Sequence, residues 1–152
     1  MSYTPEPIPQ NNIISQLSDN WVQYAEIPLP IFIEVNFDEP NYPRLDLNKG
    51  DYIVVKQDVS GMNVRYRGNY QYYDRVFPLV LEITTRHSRQ RLYDIMATIR
   101  RIAFTKKHDI TNNGYQLIRF GGFWESVTSE QKIWRGQIKI TFEDLGKTAD
   151  TI

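Results

Sequence analysis

Cysteine is missing from all 152 residues, which removes disulfides, thiol nucleophiles, zinc ribbons and iron–sulfur ligation together. Histidine is nearly as scarce. His87 and His108 stand at opposite ends of a helix-periodic segment, and at ~1.5 Å rise per residue they lie about 30 Å apart, too far to share a metal within one subunit. His87 reads as part of the helix entrance, and His108 as a residue well placed against the helix dipole. The opening residues Met1-Ser2-Tyr3-Thr4-Pro5 lack the charged and apolar regions of a leader, and no apolar run approaches a membrane span. The expectation is a protein made in a cytoplasm that stays there unless it leaves as part of an assembly, with no membrane as partner.

The spacings of P-loop, GxGxxG, HExxH, GxSxG and EF-hand sites are also absent. Gly121-Gly122 is a weak signal for a phosphate cradle, since no helix follows it. Asp51, Asp74 and Glu82 could be gathered as a nuclease-like metal site, but Glu82 is followed by Ile83-Thr84-Thr85-Arg86 and not by a nearby lysine. The sequence predicts no catalytic residue, no metal and no cofactor, hence not an enzyme.

What is present centres on Arg75 to Lys107. Phe77, Leu79, Leu81 and Ile83 share one face at period two, and Val76, Pro78 and Val80 make the near half of the other face apolar, which predicts a strand covered on most of both sides. Ser88 then sits where an N-cap belongs, and Leu92, Ile95, Met96, Ile99, Ile102 and Ala103 recur on one helical face. The segment carries eight basic residues against Glu82 and Asp94, a net +6, leaving −6 on the rest of a formally neutral chain. A basic block in an acidic surround is a physical reason to expect self-association or an acidic partner.

Around this nucleus, Pro5, Pro7 and Pro9 mark residues 1–11 as an extended arm, either a frayed end or one that orders against a neighbouring subunit. Ile13, Ile14, Leu17 and Trp21 predict a short helix from Ile13 to about Tyr24, capped by Asn11 or Asn12. Ile31, Ile33, Val35 and Phe37 alternate with Phe32, Glu34 and Asn36, as in a strand with one apolar side, and Tyr52 to Val55 open a second strand. Residues 56–74 form a long loop or hairpin arm. Past an Asn113-Gly114 turn, Tyr115 to Phe120 start a strand that Gly121-Gly122 bulges or bends. The last strand, Ile133 to Glu143, has the clearest alternation in the chain, and residues 146–152 read as a tail. This is one domain over 12–145 of class α+β: a mixed, mostly antiparallel sheet with a long central helix and a short N-terminal helix packed on one side.

Two groups of residues suit a contact surface. Arg65, Arg67, Tyr70 and Tyr72 lie in the tyrosine-rich 56–74 segment, and tyrosine offers large contact area at low entropy cost. Arg89, Tyr93, Arg100, Phe104 and Lys107 form one edge stripe of the central helix at ~100° per residue. That mixture fits a protein interface or a nucleic-acid surface, although the acidic surround disfavours a phosphate backbone. The plain alternatives are tyrosines packed on one another in a hairpin, and arginines that cover the helix flank with their stems.

As a whole, the layout resembles the tail terminator, or tail completion, proteins of long-tailed bacterial and archaeal viruses. The resemblance is carried by Tyr72-Tyr73-Asp74-Arg75-Val76-Phe77-Pro78-Leu79-Val80-Leu81-Glu82-Ile83, by the helix from Arg89 to Ala103, and by the closing strand Trp134-Arg135-Gly136-Gln137-Ile138-Lys139-Ile140-Thr141-Phe142. It implies a virion structural protein of the tail or neck, made in the host cytoplasm, that forms a ring, expected to be a hexamer. Such a ring caps the tail tube and joins it to the head connector. The implied partners are further copies, the tail tube protein and head connector or neck proteins, with nucleic acid met only as DNA passing through the ring.

Overall fold

In the computed structural model the described residues are 8–35, 45–57, 63–67, 72–105, 117–126 and 132–147; in 63–67, 72–75, 117–119 and 143–147 the backbone alone is described. Two helices and six strands follow in the order α1 (Pro9–Tyr24), β1 (Ile31–Glu34), β2 (Tyr52–Gln57), β3 (Asn63–Arg67), β4 (Tyr72–Thr85), α2 (Arg89–Thr105), β5 (Leu117–Ser126) and β6 (Trp134–Lys147). The strands form one sheet in the order β1-β2-β4-β6-β5, with β3 beside the first part of β4. Among the described residues only β1 with β2 is a parallel pair, so the fold is α+β with a mixed, mostly antiparallel sheet.

Strand β4 is the spine of the sheet. Leu79, Leu81 and Ile83 are fully buried beneath the helices, together with Ile53 and Val55 of β2 and Ile138, Ile140 and Phe142 of β6. Helix α2 closes over them with Leu92, Ile95, Met96, Ile99, Ile102 and Ala103, the face that its periodicity predicts. Each buried Leu, Ile or Met contributes ~1.5–3 kcal/mol, against the few tenths that separate most helix propensities, so packing holds this helix in place. Its entrance is capped as expected, with the Arg91 amide donating to Ser88 Oγ at 3.0 Å. Gly136 lets the helix approach the sheet: a Cβ there would lie 3.2 Å from both Leu92 Cδ1 and Met96 Sδ.

Helix α1 begins sooner than its apolar spacing suggests. Pro9 opens it, with Ile8 in the cap position and no side-chain cap bond, so residues 9–11 belong to the helix and neither Asn11 nor Asn12 caps it. Proline suits that first position, where its missing N–H would have no partner anyway. Gln10 anchors the turn: it is buried, and its amide donates to the carbonyls of Val35 at 2.9 Å and Val55 at 3.2 Å, bridging the ends of β1 and β2. Of the expected arm, residues 1–7 lie outside the described residues.

Edge strand β1 also differs from its sequence pattern. Its register with β2 sets Ile31 and Ile33 across from Tyr52 and Val54, on the sheet face turned from the helices, while Phe32 packs against the core. Residue 37, the end of the predicted strand, lies outside the described residues.

Within the 56–74 segment each described residue lies in a strand. Strand β3 pairs antiparallel with Tyr72–Val76 of β4, and β6 pairs with the same stretch through Glu143–Lys147, so 146 and 147 of the expected tail are strand. On the β2 side, β4 pairs with β2 from Thr84 (opposite Tyr52) to Leu79 (opposite Gln57), and with β3 from Val76 (opposite Asn63) to Tyr72 (opposite Arg67).

Candidate interaction surface

The stripe predicted on α2 lies against edge strand β5, and a β-bulge decides what it meets there. Phe120 pairs with Ile140 and Phe123 with Ile138, so two residues, Gly121 and Gly122, oppose Lys139 alone. Because the bulge absorbs the extra residue, both phenylalanines stay on the helix side, where unbroken alternation over two intervening residues would send one to the opposite face. Glycine fits both positions: Gly122 has φ +105°, and a Cβ on Gly121 would stand 3.1 Å from the Lys139 carbonyl oxygen.

An aromatic row results. Tyr93 meets Phe123 edge-on with centroids 6.0 Å apart, Phe123 meets Phe120 at 6.5 Å, and Phe120 meets Phe104 at 6.0 Å. These are attractive ring geometries, but the row is not closed: Phe104 is 54% exposed and Phe123 38%. At its upper end Glu125 accepts hydrogen bonds from Arg89 Nε at 3.1 Å, from Arg89 Nη2 at 3.0 Å and from Tyr93 Oη at 2.9 Å. The Arg89 guanidinium also lies 5.7 Å from the centre of the Tyr93 ring. Hydrogen bonds from Arg89 and then Tyr93 hold the Glu125 carboxyl below its usual pKa, and Glu125 in turn raises that of Arg89. Arg100, exposed farther along α2, forms no ion pair among the described residues.

The two predicted groups do not come together. Arg89, Tyr93, Arg100 and Phe104 lie along the β5 edge, whereas Arg65 and Arg67 are in β3 and Tyr72 opposite Arg67 in β4, on the side of β4 away from β6 and β5. Tyr70 and Lys107 lie outside the described residues, as does His108. Sequence reasoning missed Glu125, Phe120 and Phe123. The phenylalanines were detectable, because two aromatics three apart across a Gly-Gly bulge must share a face. Glu125 gave no such signal, since its role depends on strand order.

Nor are the carboxylates weighed for a metal site gathered. Asp51 accepts from Thr85 Oγ1 at 2.5 Å and from Arg91 Nη1 at 3.1 Å, fastening the start of β2 to the corner between β4 and α2. Glu82 is across the sheet, bound to Lys56 Nζ at 2.7 Å and to Gln137 Nε2 at 3.3 Å. Asp74 is in the arm, eight residues up β4 and about 27 Å away at ~3.4 Å per residue. Among the described residues no group of three or more His, Asp or Glu is placed to hold a metal ion, and no helix is long and apolar enough to cross a membrane. His87 is exposed at the helix entrance, with its amide donating to Thr85 Oγ1 at 3.2 Å. A cleft of about 540 Å³ between the end of α1 and the opposite flank of α2 is lined by Val22, Ala25, Ile27, Asp94, Thr98 and Arg101, and includes none of the predicted residues.

No protein-family model matches the chain, and no curated protein matches it.

Proposed function

We propose that this chain is a virion structural subunit, a ring-forming tail terminator or neck protein that caps a tail tube and joins it to the head connector. The observation that carries the reading is the surface between α2 and β5. It sets half-exposed Phe104 and Phe123 beside an arginine rim and along a ten-residue strand whose outer edge has no partner among the described residues. A phenylalanine gains ~1.5–3 kcal/mol on full burial, and an unpaired strand edge invites pairing, so this surface rewards association more than isolation. The three-stranded arm of β3 with the ends of β4 and β6 supports the same reading, as an element able to reach a neighbour or the tube.

A nucleic-acid module built on the same stripe fits less well. Glu125 sits among the stripe's cations and neutralises Arg89, where a phosphate backbone rewards uncompensated positive charge. The deciding experiment is native mass measurement and electron microscopy of the purified protein, alone and with the tail tube protein encoded nearest to it. A ring of about six subunits seated on the tube end is expected. A strict monomer that binds neither tube nor connector would overturn the proposal, and salt-sensitive oligonucleotide binding in its place would favour the nucleic-acid module.

A further inference from the structure

The strand order places the basic helix α2 and the acid-rich stretch around β1 toward opposite ends of one sheet. Helix α2 contacts β5, β6 and β4, whereas α1 contacts β2, β1 and β4, so the basic helix belongs to the β5 end and the β1 edge lies at the other. Residues 26–51, the stretch that contains β1, carry six acidic residues against Arg44 and Lys49. Of these, Glu26, Glu34 and Asp46 are exposed. Neither β1 nor β5 has a second neighbour among the described residues. Glu34 is across from core residue Val55, so it belongs to the helix side of the sheet, the side that also bears Arg100 and Phe104. Leu29, two residues ahead of β1, is 50% exposed and supplies an apolar counterpart to Phe104 and Phe123.

We infer that a second copy of this chain occupies the α2–β5 edge, and that it docks through its β1 edge. The contact is head-to-tail. A symmetric β5-to-β5 dimer would bring the two copies of Arg100 to one interface with no acidic partner for either, and like charges brought together are disfavoured. A β1-to-β5 contact instead matches basic to acidic and open strand to open strand. Because each subunit has one such edge of each kind among its described residues, the contact repeats from copy to copy, and it closes as a ring where the rotation between neighbours allows. This rests on the self-assembling reading above and names the surfaces that would carry it.

Charge exchange tests it. Arg100→Glu and Glu34→Arg are both at exposed positions, and thermal melting by circular dichroism should show each variant folded like the parent. Sedimentation velocity and native mass measurement should find that each variant alone associates at least about tenfold more weakly. An equimolar mixture of the two should recover assemblies with an even number of subunits, because each contact then joins an unlike pair. The doubly exchanged chain, R100E with E34R, should recover assembly on its own, and Phe104→Ser should weaken it without altering charge. If the parent chain assembles and both single variants assemble equally well, the interface lies elsewhere and this inference fails while the self-assembling reading stands. Failure of both the mixture and the double variant to recover assembly would overturn the pairing of these two edges. A parent chain that stays monomeric with and without the tube protein would overturn the self-assembling reading itself.

Discussion

Arg89 and Glu125 face each other through two roughly parallel hydrogen bonds, Nε to Oε1 at 3.1 Å and Nη2 to Oε2 at 3.0 Å. They tie the first turn of α2 to the edge strand. The pair is largely in water, with 66% of the arginine side chain exposed, so it adds little to global stability. It fixes the orientation of the surface that Tyr93 and Phe123 share.

Acid should release it. The Glu125 carboxyl is held below its ordinary value of 4.5 by Arg89 and then Tyr93. Its contribution is therefore fully present above that value and is lost as pH falls through the depressed one. Carbon-13 NMR titration of Glu125 should give a midpoint below 4.5 in the parent chain. In Arg89→Gln the midpoint should move back toward the ordinary value, with the thermal midpoint of unfolding nearly unchanged. An unmoved titration would mean that the pair does not persist in solution.

Asp51 presents the contrasting case. Its side chain is 10% exposed and that of its partner Arg91 17%, and Thr85 takes the other carboxylate oxygen. Removing one member leaves the other charge buried without a partner, at a cost of about 3–5 kcal/mol. Asp51→Ala or Arg91→Ala should lower stability to urea by that order. The double variant Asp51→Leu with Arg91→Met should cost much less than the sum, since no charge is then stranded. Additive losses in a double-mutant cycle would refute the coupling.

Close approach between α2 and the sheet depends on Gly136. A methyl group there would press on Leu92 and Met96, whose side-chain ends can shift, and on the Trp124 carbonyl at 3.3 Å, which cannot shift without moving β5. Gly136→Ala should be tolerated with a small loss, and Gly136→Val should cost ~1–3 kcal/mol by overpacking. Chemical denaturation of the two variants distinguishes them, and equal stability would mean that the helix sits farther from the sheet.

Much of this architecture could be read before any coordinates, because the core obeys simple periods. The α2 face from Leu92 to Ala103 and the β6 alternation through Ile138, Ile140 and Phe142 are both buried as their spacing implies. The exceptions share one cause. Gln10 looked like part of a polar arm because its hydrogen-bond acceptors, the carbonyls of Val35 and Val55, are 25 and 45 residues away. Ile31 and Ile33 looked core-facing because a short edge strand offers no internal clue to which face its neighbour buries. Glu125 could not be linked to Arg89, 36 residues earlier, without knowing that β5 is the edge strand beside α2.

The bulge offers the sharpest local test of the candidate surface. Deleting Gly122 would restore strict alternation between Phe120 and Ser126, because a single residue would then oppose Lys139. Phe120 and Phe123 would then stand two apart and both stay on the helix side, with Phe123 still opposite Ile138, Trp124 opposite Gln137 and Glu125 opposite Gly136. What the deletion removes is the local bend and added twist of the bulge. Nuclear Overhauser contacts between the Tyr93 and Phe123 rings should therefore persist, and Glu125 should still titrate below its ordinary value. Gly122→Ala is the milder probe. It forces alanine into a φ of +105° and should lower stability modestly, by more than the ~0.4–1 kcal/mol that a compatible Gly-to-Ala exchange gains, while keeping the Tyr93–Phe123 contact. Loss of that contact in the deletion variant would show that the bend of the bulge, and not side-chain alternation alone, aims Phe123 at Tyr93.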